Sequence, residues 1–151
     1  ISEDIAKESK RINKGDILVA GSGETLEDIG KAIAFIGDEI AYAGGDTIIL
    51  SPNDTVDSEY ISYVLETDFV RRQKRRFGQG HSVVHIYGSD IAKLKIRIPK
   101  KDEQIAIAKV LQLADTEIQI LRDKTIKLKN EKRGLIQQLL SGKKRLPTKS
   151  K

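Results

Sequence analysis

Clusters of apolar and β-branched residues mark residues 16–20, 32–36 and 46–50 as strands, since side chains on a strand alternate between its two faces. Gly21-Ser22-Gly23 and Tyr42-Ala43-Gly44-Gly45 separate them as turns. Pro52 closes the third strand, because proline has no N–H to give a ladder. Asp57 or Ser58 can then cap a helix whose buried stripe is Ile61, Val64, Leu65 and Phe69. That helix is predicted to end in Arg71, Arg72, Lys74, Arg75 and Arg76, before Gly78 and Gly80 break it. Residues 82–87 and 93–98 read as two further strands joined by a turn at Gly88-Ser89-Asp90.

After Pro99 the apolar period lengthens. Residues 103–113 predict an amphipathic helix, and Asp115 can cap a second one running to about Leu140, stopped by Ser141-Gly142. In this second helix Ile118, Leu121, Thr125, Leu128, Lys132, Leu135 and Leu139 alternate three and four residues apart. This is a heptad seam, with Thr125 and Lys132 as polar intrusions of the kind that fix register or partner. So strict a seam favours a partner helix over packing on the chain's own domain. The fold class expected is α+β. It comprises a small mixed β-rich domain over residues 1–99, a long helix or helical-hairpin coiled-coil dimerisation region over 100–142, and a basic tail over 143–151.

Composition sets outer bounds on this picture. With 151 residues and 38% hydrophobic content the chain can bury one core. It has no cysteine, which removes disulfides, thiolate metal sites and a cysteine nucleophile. No apolar run approaches membrane-spanning length and no signal-peptide pattern opens the chain, so a soluble cytoplasmic protein without a membrane partner is expected. Methionine is absent even at position 1, which predicts a gene product that extends upstream.

Charge changes the picture more. The net value is +5, yet residues 1–70 carry 5 basic and 15 acidic side chains while residues 71–101 carry 10 and 1. A basic block so sharply placed is the footprint of a protein that meets nucleic acid, although a solvated basic surface would show the same balance.

Sites of catalysis do not emerge. Gly21-Ser22-Gly23 lacks the third glycine of a dinucleotide loop, where Leu26 stands. Residues 25–32 end in Gly30-Lys31 but carry Thr25 and Ala32 where a phosphate loop needs glycine and a hydroxyl, and Glu24, Glu27 and Asp28 would repel phosphate. The residues between His81 and His85 read as strand, where four residues span about 13 Å, too far to share one ion. No metal, cofactor or catalytic residue is therefore assigned.

The remaining chemistry is that of a binding surface. Arginine's planar fork fits phosphate oxygens or guanine O6 and N7, and lysine supplies a point charge. Arg71, Arg72, Lys74, Arg75 and Arg76 precede a glycine loop in which Gln79, His81 and Ser82 can reach base edges. The same cations would also complement the C-terminal end of a helix dipole, for which one or two suffice. In the other glycine loop Ser22, Glu24 and Thr25 are candidate base readers, with an ordinary polar turn as the competing account. Tyr42 is a further candidate, with core packing as its alternative.

Five segments occur in order: Ser22-Gly23-Glu24-Thr25; Tyr42-Ala43-Gly44-Gly45-Asp46; Gly80-His81-Ser82-Val83-Val84-His85-Ile86-Tyr87; Ile98-Pro99 with Glu103-Gln104-Ile105-Ala106; and Gly134-Leu135 with Leu139-Leu140-Ser141-Gly142-Lys143. Together they make the chain resemble the specificity subunit of type I restriction–modification enzymes, specifically one target-recognition domain and the helical region that follows it. The resemblance implies non-catalytic, sequence-specific recognition of double-stranded DNA, with each recognition domain reading half of a bipartite site. It implies a second specificity half, or a homodimer, joined through the long helix. It further implies modification subunits that dock on this scaffold and methylate adenine with S-adenosylmethionine, and restriction subunits that add ATP-driven translocation and cleavage. None of these cofactors would bind this chain. A helix of about 25 residues would measure roughly 38 Å, near the spacing of half-sites one DNA turn apart. Two alternatives stay open: a coiled-coil adaptor whose basic surface binds an acidic protein, and the specificity portion of a fused restriction–methylation enzyme.

Overall fold

The computed structural model describes residues 3–80 and 83–147. The chain runs α1 (Glu3–Glu8), β1 (Lys10–Ile12), β2 (Ile17–Ala20), β3 (Ser22–Gly23), β4 (Ala32–Ala34), β5 (Ala41–Ala43), β6 (Thr47–Leu50), α2 (Ser58–Leu65), α3 (Asp68–Arg75), β7 (Val84–His85), α4 (Gly88–Ile91) and α5 (Lys101–Leu140). This is the α+β class expected. Two compact units result, Ile1–Lys109 and Val110–Lys151.

The three strands expected first all form, each somewhat shorter than predicted, and they pair antiparallel in the order β4-β2-β6. Leu18 faces Ile33 on one side and Ile49 on the other, while Ile17 and Val19 on the alternate face are buried. Around those two side chains gather Ile29, Tyr60, Ile61, Leu65, Val70, Val84, Ile86, Ile91 and Ala108. Removing this apolar surface from water is the main force holding the first unit together. Two small ladders, β1-β5 and β3-β7, hold the turn segments to it.

Asp57 is the helix cap: its Oδ1 accepts the Tyr60 N–H at 2.8 Å, satisfying a donor the helix leaves unpaired. Where one helix was expected, two form. The chain breaks at Glu66-Thr67, and Glu66 Oε1 accepts the Ala32 N–H of edge strand β4 at 3.0 Å. Phe69 does not join the stripe of Ile61 and Leu65; it is 63% exposed.

Two further expectations are corrected. The supposed turn at Gly88-Ser89-Asp90 is the short helix α4, with Asp90 accepting from Lys93 Nζ at 2.8 Å. Residues 93–98 form no strand. The Gln73 carboxamide donates to the Lys95 carbonyl at 3.0 Å and accepts the Lys95 N–H at 2.9 Å, serving that residue as a neighbouring strand would.

The two helices and hairpin expected after Pro99 are one continuous helix. No glycine or proline interrupts the chain from Lys100 to Arg133, and Asp115 lies inside α5 rather than at a cap. Its first turns belong to the core of the first unit. Gln104 is 0% exposed and saturates three partners: its Oε1 accepts the Asp57 N–H at 2.8 Å, and its Nε2 donates to the carbonyls of Pro99 at 2.9 Å and Thr55 at 3.2 Å.

A candidate nucleic-acid interface

Helical phase sorts the five cations around α3. Lys74 lies four residues after buried Val70, hence on the same face, and is itself only 2% exposed. Its Nζ donates to the Gly30 carbonyl and pairs with Glu66 Oε1 at 3.5 Å. Lys74 is therefore withdrawn as a DNA contact, because its ammonium is spent inside the fold. Gly30 makes room for it: its φ is +71°, and a Cβ there would fall 2.5 Å from Lys74 Cδ. Burial pushes the Lys74 ammonium below lysine's ordinary pKa, with Glu66 opposing the shift. For Glu66 burial pushes upward, but the Arg71 guanidinium, the Lys74 ammonium and the Ala32 N–H outweigh it and hold the carboxyl below its usual value.

Arg71 and Arg75 are exposed yet committed, to Glu66 at 2.9 Å and to Glu27 at 3.0 Å. Arg72 and Arg76 differ. Arg72 Nε bonds only the Asp68 carbonyl of its own helix, at 3.2 Å, and neither arginine has an acidic partner among the described residues. Spacing of three and seven residues puts both on the same side as exposed Phe69. Phe69, Lys95, Ile96 and Arg97 line an open groove of about 470 Å³. This side of the molecule is apolar at its floor and cationic at its rim.

The glycine loops hold a different arrangement. Thr25 Oγ1 donates to Asp28 at 2.6 Å, closing its own turn, and Glu24 is exposed. Gln79 is exposed while its backbone exchanges both hydrogen bonds with His85, at 3.0 and 2.8 Å. Tyr42 is half-buried on β5, opposite Arg11. His81 and Ser82 lie outside the described residues.

Ser22 bonds a residue that lines a cleft no single segment predicts. Gly21 donates its N–H to the Asp46 carbonyl at 2.8 Å and accepts from the Ile86 N–H at 2.9 Å. A Cβ at Gly21 would stand 2.5 Å from the Asp46 carbonyl oxygen, so only glycine permits this approach. The result is an open cleft of about 440 Å³ whose lining includes Lys10, Asp46, Thr47, His85 and Tyr87. The Ser22 hydroxyl donates to Asp46 Oδ2 at 2.9 Å, and the His85 and Tyr87 rings lie 6.5 Å apart at 15°. Lys10, Asp46, His85 and Tyr87 were not among the sequence candidates. Asp46, His85 and Tyr87 do stand inside the ordered segments quoted above, which was the signal available.

In α5 the seam residues Ile118, Leu121, Thr125, Leu128, Lys132 and Leu135 are exposed and Leu139 is half-buried. Among the described residues no helix is long and apolar enough to cross a membrane.

The type I restriction modification DNA specificity domain family matches residues 3–130. The chain belongs to this family. A Methanocaldococcus jannaschii protein named as the specificity subunit of type I restriction enzyme MjaX is 31% identical over 100 residues, covering 66% of this chain and 23% of that protein. A Haemophilus influenzae protein named as type I restriction enzyme specificity subunit S.HindORF215P is 27% identical over 104 residues, covering 68% of this chain and 25% of that protein. The specificity domain thus spans about a quarter of the length of these curated relatives. The family match runs from α1 into α5, so it takes in both the cationic side of α3 and the cleft.

Proposed function

We propose that this specificity domain reads duplex DNA as one half of a bipartite-site reader in a type I restriction–modification assembly, without catalysing a reaction itself. The observation that carries the reading is the sorting of the α3 cations. Two arginines, Arg72 and Arg76, have no acidic partner among the described residues and share a helix side with Phe69, which lines a groove with Lys95 and Arg97. Guanidinium forks held by a helix suit backbone phosphates, which fix the protein's register on DNA. Gln79, His81, Ser82, Ser22, Glu24 and Thr25 then serve as base-side candidates. Residues 110–140 pair along their seam with the helix of a second specificity half, either fused in the same subunit or a second copy. Adenine methyltransferase subunits dock on that scaffold with their S-adenosylmethionine, and restriction subunits act through them.

The test is the salt dependence of binding to mixed-sequence duplexes. Replacing Arg72 and Arg76 by Ala should weaken binding to all sequences and lower the slope of log affinity against log salt by about 2, at roughly 0.9 per phosphate contact. An unchanged slope removes both residues from the phosphate surface.

One observation favours a second reading. The apolar floor formed by Phe69 and Ile96 between Lys95 and Arg97 would also accept an acidic, apolar segment of a protein partner. An adaptor of that kind binds cognate and scrambled duplexes equally, whereas a DNA reader separates them.

A further inference from the structure

We infer that Asp46 is a base-reading residue, accepting a hydrogen bond from the exocyclic amino group of cytosine or adenine while Lys10 takes a neighbouring phosphate. The inference rests on the DNA reading above and adds a residue and a base class to it. Asp46 is an exposed carboxylate in a cleft also lined by Lys10, and near DNA an unpaired negative charge weakens binding to every sequence. Such a group is useful only where a donor meets it, so its value lies in discrimination rather than affinity.

The cleft is built to aim it. Ser22 holds Oδ2 at 2.9 Å, leaving Oδ1 without a donor among the described residues. The Asp46 main chain is fixed in turn, its carbonyl bound by the Gly21 N–H at 2.8 Å. In the major groove cytosine and adenine present an amino donor, while guanine and thymine present carbonyl acceptors that a carboxylate repels. The other groups in the cleft match the rest of a nucleotide. Lys10 offers an ammonium to phosphate, and the stacked His85 and Tyr87 rings offer flat faces beside it. An open cleft of about 440 Å³ suits the edge of a large molecule rather than an enclosed small one.

The experiment uses the full chain as wild type, Asp46→Asn, Ser22→Ala and Arg72→Ala, each selecting from a pool of randomised duplexes and then titrated against the winners at several salt concentrations. Asparagine with its oxygen on Ser22 removes the charge and turns an NH2 donor to where Oδ1 stood, which cannot accept from a base amino group, and matched thermal melting confirms that each variant is folded. Asp46→Asn should bind mixed DNA at least as tightly as wild type while losing about tenfold preference for cytosine or adenine at one position. Ser22→Ala should weaken preference at that same position by a smaller factor. Replacing the selected base by an analogue without the amino group should cost wild type about tenfold and Asp46→Asn little. An unaltered preference profile in Asp46→Asn overturns the inference, and a lowered salt slope in Arg72→Ala would leave the DNA reading standing. A wild-type chain that selects no sequence and shows no salt dependence removes the DNA reading and this inference together.

Discussion

The two units solve the problem of apolar surface in opposite ways. In the first, Ile17, Val19, Ile29, Val70 and Ile86 are almost completely withdrawn from water by strands and helices of the same unit. In the second, no described residue is buried, and Val110, Leu113, Ile120, Ile126, Leu128 and Leu140 all stand exposed. An isolated helix gains little from propensity alone, and most helical stability in proteins comes from burying an amphipathic face. The contrast separates a unit with a core of its own from a helix that has none among the described residues.

The largest test of that contrast falls on the helix. Replacing Leu121, Leu128 and Leu135 by Asp should weaken association through α5 by more than a thousandfold, since each buried leucine contributes about 1.5–3 kcal/mol. Sedimentation and helical circular dichroism measured against protein concentration would show it. If wild-type helicity does not rise with concentration, the seam does not pair with a second copy of this chain, which leaves a fused second half as its partner. On the other side, Gln104→Ala should cost the first unit about 3 kcal/mol, because it leaves the Asp57 N–H and two carbonyls without their partner. Denaturant unfolding of the first unit's core measures this, and a shift under about 1 kcal/mol would mean that the three bonds are replaceable.

The smallest effect is one of pH. Glu66 is held below its ordinary value of 4.5, so its contribution is fully present above that pH and is lost as acid carries the protein through its lower folded value. Glu66→Gln should lower stability at neutral pH by about 1 kcal/mol and flatten the decline below pH 4.5. Thermal melts from neutral to acid pH would reveal it in the first unit and leave the helix region unchanged. A wild-type slope retained in Glu66→Gln would assign the acid sensitivity to other carboxylates.

What the sequence disclosed follows from the range of the forces involved. Strands β2, β4 and β6 and the Asp57 cap are set by neighbours within a few residues, and all were legible. The break after Leu65 was not, because no glycine or proline marks it; it coincides with Glu66 reaching 34 residues back to Ala32. Residues 93–98 alternate like a strand, yet Gln73 fills the place of a partner, which alternation cannot announce. Among the candidate cations, counting charges hid the difference between Lys74 and Arg72. Phase counted from the expected stripe would have misled, since that stripe held exposed Phe69, three residues before Arg72, and omitted buried Val70, one turn before Lys74. The cleft was hidden for another reason: Asp46 and Tyr87 meet through the backbone bonds of Gly21 to Asp46 and Ile86, and Lys10 joins them through the β1-β5 ladder.

The Gln104 bonds have a practical consequence for building chimeras. Transplanting the first unit onto a different helix at Pro99 would discard Gln104 and Ala108, and with them a wall of that unit's own core. A splice after Lys109 keeps the first unit's interior whole and exchanges only the stretch of helix that lacks a core.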